Sequence, residues 1–308
     1  MKQDVHKSMT ALCCVAALLP ACAQTTQQGE GPRKMEDMIH VPAGWFWMGL
    51  SADASRQFVA ACTREREEGE DCPGWFQATE PRHRVWLDAF RLDRHEVSNA
   101  DFRQFVQATG HVTDAERENR GAVRREQDGT WGWFMVDGAT WRSPQGAGSD
   151  IEADDHPVLQ VSWHDALAYC RWVGKQLPTE AQWEKAARGT DERLYAWGND
   201  WNAARHSNSA KSVARTRPVG HYPSGASPYG ALDMTGNVWE WVADWFAPDY
   251  YAVSETRNPH GPAQGSSRVL RGGSWHHSSV ISLAAYRIHQ PPGARNNLAG
   301  FRCAASGA

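Results

Sequence analysis

An α+β fold with little regular secondary structure, in a single domain, is what this sequence predicts. Three observations carry that reading. Three segments show complete helix start and stop signals. Short alternating apolar runs with Gly and Pro punctuation read as strands. Long connections containing Gly, Pro, Asn and Ser separate them, with no internal repeat, no GxGxxG and no P-loop. For a chain of 308 residues, so few long elements imply loops pinned by disulfides or ions.

The first 23 residues read as a targeting segment rather than as fold. Lys2 and Lys7 precede an apolar run from Met9 to Leu19, followed by Pro20-Ala21-Cys22-Ala23. A charged start, a short apolar stretch and small residues make a secretory signal, and the run is too short to span a bilayer as a helix. Two cleavages fit. Leu19-Pro20-Ala21-Cys22 resembles a bacterial lipobox and would leave Cys22 lipidated. Ala21-Cys22-Ala23 also suits simple cleavage before Gln24. Residues 24–37 are polar and read as a flexible tether. The expected location is exported, periplasmic or anchored to the outer membrane of a bacterium as a lipoprotein.

The domain is expected over 38–305. "MIHVPAGWFWMG" (38–49) alternates as strands do. A charged insert, "REREEGEDCPGWFQATEP", follows. In "SNADFRQFVQATG" Ser98 caps, Asp101 lies in the first turn, and Phe102, Phe105 and Val106 share a face before Gly110. In "SWHDALAYCRWVG" Ser162 caps and Asp165 stands three residues on, with Ala166, Tyr169, Cys170 and Val173 along one side. In "PTEAQWEKAARG" Thr179 and Gln182 form a capping box, with Trp183 and Ala187 inward.

The composition is 41% hydrophobic and 22% charged with a formal net charge of -4. It offers no electrostatic footprint for nucleic acid or an anionic membrane, so membrane contact is expected only through a lipid anchor at Cys22. The 16 Trp suggest an indole-rich core, with some rings lining a ligand groove. Past Cys22 four cysteines remain, an even number that argues for two disulfides in an exported chain. Cys62 and Cys72 would close a surface loop; Cys170 and Cys303 would tie the middle of the chain to its end.

Seven blocks occur in order: "HVPAGWFWMG", "LDRHEVSNADFRQFVQATG", "DDHPVLQVSWHDALAYCRWVGKQLPTEAQWEKAARG", "YAWGND", "YGALDMTGNVWEWVADWF", "RVLRGGSW" and "NNLAGFRCA". Together they resemble the formylglycine-generating enzyme (sulfatase-modifying factor) family from about residue 38 to 305. That resemblance implies the family's variant of the C-type-lectin-like fold and supports the Cys170–Cys303 bridge. It also implies a structural calcium ion in "DMTGNVWEW", held by Asp233, Gly236, Val238 and Glu240, a hard-oxygen set on a Gly-containing loop. The family's other calcium loop would fall in "SNSAKSVARTRPVG", which is short and has no acidic residue.

The chain departs from the family at its chemistry. Family enzymes oxidise a sulfatase cysteine with oxygen and a copper ion held by two thiolates. The first thiol position falls on His277, no residue is assigned to the second, and no cysteine lies between Cys170 and Cys303. Thiol-dependent formylglycine generation is therefore not expected. His277 and Ser274 become the candidate catalytic residues, and Arg271, Trp275, His276, Arg287 and His289 the candidate groove. Imidazoles bind copper or iron, but neighbours on a strand face opposite ways, so one of His276 and His277 is expected in a given pocket. Ser274 either bonds a ligand or is small because backbone packs closely there.

Two functions follow. The first is an exported oxidative enzyme acting on a peptide or peptide-derived molecule, like the pyoverdine-maturation branch of the family. The second is a non-catalytic ligand-binding lipoprotein of the cell envelope. The mixed residues of "HHSSVIS" and "IHQPPGARNNLA" between fixed framework pieces resemble the variable proteins altered by diversity-generating retroelements.

Overall fold

The computed structural model describes residues 37–65, 71–149, 153–210 and 215–307. The signal segment, nearly all of the tether, part of the charged insert (66–70) and part of the loop expected to lack calcium (211–214) lie outside the described residues. The described residues all belong to one compact unit.

The chain opens with β1 (Met38–Val41) and β2 (Gly44–Met48), then α1 (Ala52–Glu65) and α2 (Cys72–Gln77), then β3 (His83–Leu87) and β4 (Phe90–Asp93). α3 (Asn99–Thr109) and α4 (Asp114–Glu118) lead into a hairpin, β5 (Arg120–Gln127) and β6 (Thr130–Asp137). α5 (Trp163–Trp172), α6 (Glu180–Arg188) and α7 (Ala203–His206) precede β7 (Trp239–Trp245), β8 (Arg268–Arg271), β9 (Arg287–Gln290), β10 (Ala299–Phe301) and β11 (Ala304–Ser306).

The strands form two larger sheets, β1-β4-β11 and β10-β7-β8-β9, and two separate hairpins, β2-β3 and β5-β6. β10 runs parallel to β7 (Gly300 opposite Glu240), whereas β8 is antiparallel to both β7 and β9. β7 is therefore central, and its register places Glu240 and Trp241 in the interior.

The three expected helices are α3, α5 and α6, and each starts with a reciprocal capping box: Ser98 with Asp101, Ser162 with Asp165, Thr179 with Gln182. Such caps satisfy amides that the first helical turn leaves open, each worth about 1 kcal/mol. α1 and α2 were not expected; α1 leads into the charged insert, α2 lies within it, and the Cys62–Cys72 disulfide joins them. The Cys170–Cys303 bridge closes a separation of 133 residues.

The core is indole-rich, as the composition suggested. Trp141, Trp183 and Trp241 are fully buried. Two of them place the N–H on a buried acceptor: Trp183 on Glu240 at 2.8 Å and Trp241 on the Val161 carbonyl at 3.1 Å. Rings of Phe102, Tyr169 and Phe301 pack between α3, α5 and β10. Truncating Trp241 to Ala would cost about 3–5 kcal/mol.

Candidate functional site

Where β8 ends, the chain leaves the sheet through Gly272 (φ 101°) and Gly273 (φ 78°), a left-handed pair that suits glycine. Space also demands it. A Cβ at 272 would lie 3.1 Å from the Trp183 ring, and one at 273 would lie 2.7 Å from Ser282 Oγ. The residues beyond form turns rather than a strand. The alternation expected of a strand therefore does not apply, and His276 and His277 both line one cleft.

That cleft has a volume of about 970 Å³. Its floor comes from His276, His277, Tyr286 and His289, and Trp239 of β7 backs it. One wall is the β5-β6 hairpin, through Arg124, Trp131 and Trp133; the opposite side includes Trp75 of α2 and Phe246. Asn297 pins the hairpin: its Oδ1 accepts the Arg124 amide at 2.7 Å, and its Nδ2 donates to the Arg124 carbonyl at 3.0 Å. Trp131 then lies over His276, ring centres 4.7 Å apart. A cleft with aromatic walls and a few fixed polar groups is the usual form of a small-ligand or peptide site.

Of the residues expected at the site, three imidazoles line the cleft: His276, His277 and His289. His277 is held by Ser274, with Nδ1 2.7 Å from the hydroxyl, and its ring meets Trp239 edge-on at 5.2 Å. His276 Nε2 accepts from Arg124 Nε at 3.2 Å, which assigns the neutral ring's proton to Nδ1. His289 stacks on Phe246 at 3.9 Å. Burial, then the neighbouring Arg287 charge, lower its pKa below the ordinary histidine value.

The remaining candidates require correction. Ser274 is buried and faces His277, so it positions that imidazole rather than a ligand. Trp275 is buried, with its N–H toward the Asn297 carbonyl at 3.4 Å. Arg271 is fully buried behind the cleft, donating to Glu180 (3.1 Å) and Glu184 (2.6 Å). Arg287 touches the cleft, but its guanidinium is committed to Glu180 at 2.8 and 2.7 Å.

The two arginines belong to a buried ionic frame on α6. Burial alone would lower the Arg271 pKa; the adjoining Tyr251, Glu184 and Glu180 outweigh it and raise it. Burial would likewise raise Glu184, but Arg271 and Arg188 reverse that and hold its carboxyl low. Asp244 accepts the Glu180 amide at 2.7 Å. Its burial, with the Glu180 charge added, pushes its pKa up to about 8. This frame fixes the strand from which the cleft floor departs.

The metal expectations divide. Among the described residues no group of three or more His, Cys, Asp or Glu is arranged to hold a metal ion. His276 has one ring nitrogen on a guanidinium and His277 one on a hydroxyl, and no further donor completes a copper or iron set among the described residues. At the calcium segment Glu240 has both oxygens occupied, by Arg302 at 2.7 and 2.6 Å and by Trp183. Its expected role as an ion ligand therefore does not fit. Asp233 (φ 58°) is buried and accepts the Gly220 amide. Burial, then the Asp233 charge, raises the pKa of neighbouring Glu96 well above the usual carboxylate range; burial raises Asp233 too. The two buried carboxyl groups supply hard oxygens of the kind calcium takes, with Arg302 as the neighbouring positive charge.

Sequence reasoning missed the hairpin that supplies Trp131, Trp133 and Arg124. A signal was present: Asp128-Gly129 between alternating runs, the strongest short hairpin signature. Both residues adopt positive φ (53° and 78°) at the turn.

Residues 24–306 match the family model described as sulfatase-modifying factor enzyme 1-like domain. The chain is similar to the formylglycine-generating enzyme of Streptomyces coelicolor, 42% identical over 94% of this chain and 96% of the relative. It is 39% identical to that of Mus musculus, over 90% of this chain and 77% of the relative. The inactive C-alpha-formylglycine-generating enzyme 2 of Bos taurus is 33% identical, over 87% of each chain. Two solved structures share the fold. PvdO from Pseudomonas aeruginosa superposes with a TM-score of 0.64 at 24% identity, covering 87% of this chain and 94% of its own. Treponema denticola variable protein 1 gives 0.61 at 21% identity, covering 88% and 95%. The architecture is accordingly the C-type-lectin-like variant expected from the sequence.

Proposed function

The chain belongs to the formylglycine-generating enzyme (sulfatase-modifying factor) family, and from that premise we propose that it binds a peptide or peptide-derived molecule in the aromatic cleft without thiol chemistry. One observation carries this reading. The cleft keeps a peptide-sized volume of about 970 Å³, yet every cysteine among the described residues is spent in a disulfide. His277, at the expected thiol position, is tied to Ser274. What remains is a shaped, partly polar groove on a rigid frame, which is suited to recognition.

A second reading, an oxygen-using enzyme with a different reactive group, is favoured by the 42% identity to an enzyme across nearly the whole chain. Metal analysis of the mature protein beside a His276→Ala/His277→Ala variant separates the two. Stoichiometric copper or iron lost in the variant would establish the enzyme. No transition metal, with peptide binding by calorimetry that the variant weakens, would establish the binding protein.

Export, with a lipid anchor at Cys22, is part of the proposal and rests on the signal-like first 23 residues. Calcium at Asp233 and the carbonyls of Gly236 and Val238 is a further part, with Glu240 remaining on Arg302. The buried carboxyl oxygens of Asp233 and Glu96 support it. A rise in melting temperature on adding calcium, absent in Asp233→Ala, tests it. Diversification of the segment 276–299 is consistent with its position along the cleft floor; comparing this segment between copies of the gene tests that idea.

A further inference from the structure

Away from the cleft, the outer face of the β2-β3 hairpin carries a ladder of indoles and guanidiniums. Register pairs Trp45 with Trp86 and Trp47 with Arg84 across the strands. The Trp45 and Trp86 rings meet edge-on at 5.5 Å. Arg82 covers Trp47 at 4.6 Å, Arg84 covers Trp45 at 4.7 Å, and Arg257 covers Trp86 at 5.5 Å. The alternate residues Phe46, Met48, Val85 and Leu87 are buried. Period-two alternation therefore sends apolar groups inward and indoles outward.

A polar outer face is the ordinary solution for such a hairpin. Here Trp45 remains 40% exposed, which leaves part of an indole in water. The charges on this face are unequal. Arg82 pairs with Glu192 and Arg257 with Asp88. Arg84 makes no ion pair among the described residues, so the face keeps a positive excess.

We propose that this ladder is the surface on which the domain rests against a lipid bilayer, with the indoles at the headgroup level and the guanidiniums on lipid phosphates. Tryptophan favours that interface because its ring is apolar and its N–H is polar. The planar guanidinium matches phosphate, and stacking on indoles presents it in a fixed orientation. The position along the chain agrees. β1 begins at Met38 and ends at Val41, and β2 begins at Gly44. Trp45, the first residue of the ladder, thus stands eight residues after the end of the tether expected at 24–37. The inference rests on the anchored reading of Cys22 only for this last step.

Flotation with vesicles tests it, using the mature chain with Cys22→Ser so that no acyl group contributes. Phosphatidylcholine vesicles and mixed phosphatidylcholine–phosphatidylglycerol vesicles are compared. The expected result is binding to the mixed vesicles that falls about tenfold or more in Trp45→Ala/Trp47→Ala. Arg84→Glu, an exposed change that keeps both indoles, should lose binding to the mixed vesicles selectively. If the double variant does not fold, Arg84→Glu alone decides. Failure of the Cys22→Ser protein to float, or equal flotation of all variants, would overturn the proposal; a protein or glycan partner would then be the alternative occupant. The mass of the wild-type N-terminus reports lipidation separately, so a missing acyl group and an inert ladder are distinguishable results.

Discussion

The Ser274 hydroxyl and Nδ1 of His277 stand 2.7 Å apart, so a buried side chain orients the imidazole that faces the cleft. Ser274→Ala removes that contact with almost no change in volume. Stability should fall by about 0.5–1.5 kcal/mol in chemical denaturation. The nitrogen resonances of His277 should shift toward the tautomer mixture of a freely exposed ring. Unchanged resonances would mean that the hydroxyl does not set the ring.

Glu180 serves two buried arginines, accepting from Arg271 at 3.1 Å and from Arg287 at 2.8 and 2.7 Å, with Tyr251 also donating at 3.2 Å. Glu180→Gln leaves excess positive charge in the interior. A loss of about 3–5 kcal/mol is expected, with the cleft floor disturbed as well because Arg287 lines it. Denaturation and a peptide-binding titration together would show both effects.

Asp244 gives the protein a pH dependence of definite sign. Its folded pKa, about 8, stands above the ordinary aspartate value of 3.8 because burial, then the Glu180 charge, disfavours the carboxylate. Between these values the folded state binds the proton and the unfolded state does not, so stability falls as pH rises. The contribution should be on the order of 1 kcal/mol per pH unit across the window from about 5 to 7. Asp244→Asn can still accept the Glu180 amide and should flatten that slope. Parallel slopes for the two proteins would refute the assignment.

The two disulfides should differ in worth. In the chain-entropy account a closure of 133 residues contributes about 5 kcal/mol and one of 10 residues about 3 kcal/mol. Paired Cys→Ala variants, compared by thermal melting, should therefore rank Cys170/Cys303 as the more costly loss.

Much of the frame was legible because its signals are local. Ser98, Ser162 and Thr179 announce their helices within three residues, and the structure places a capping box at each. Four cysteines in an expectedly exported chain allowed only three pairings, and family resemblance favoured the observed one. The roles of Arg271 and Arg287 were not legible. An arginine beside a groove reads as a ligand contact, and only the fold brings Glu180 and Glu184 of α6 against these two, across 87 residues for Arg271 and Glu184 and 107 for Arg287 and Glu180. His276 and His277 were misplaced for a related reason: a strand was assumed past Arg271, whereas Gly272 and Gly273 turn the chain out of the sheet. The hairpin wall was legible at Asp128-Gly129 and was overlooked.

The Cys170–Cys303 bridge has a consequence for how this molecule tolerates proteases. It makes a covalent ring of everything from the end of α5 to just beyond β10, and the whole histidine-bearing floor lies inside that ring. A single nick near Val253, which is 76% exposed, would open the ring without parting the pieces. The product should run as one band until reduced and should keep its floor assembled. A nick at the Asp128-Gly129 turn falls outside the ring, where packing and hydrogen bonds alone would retain the wall.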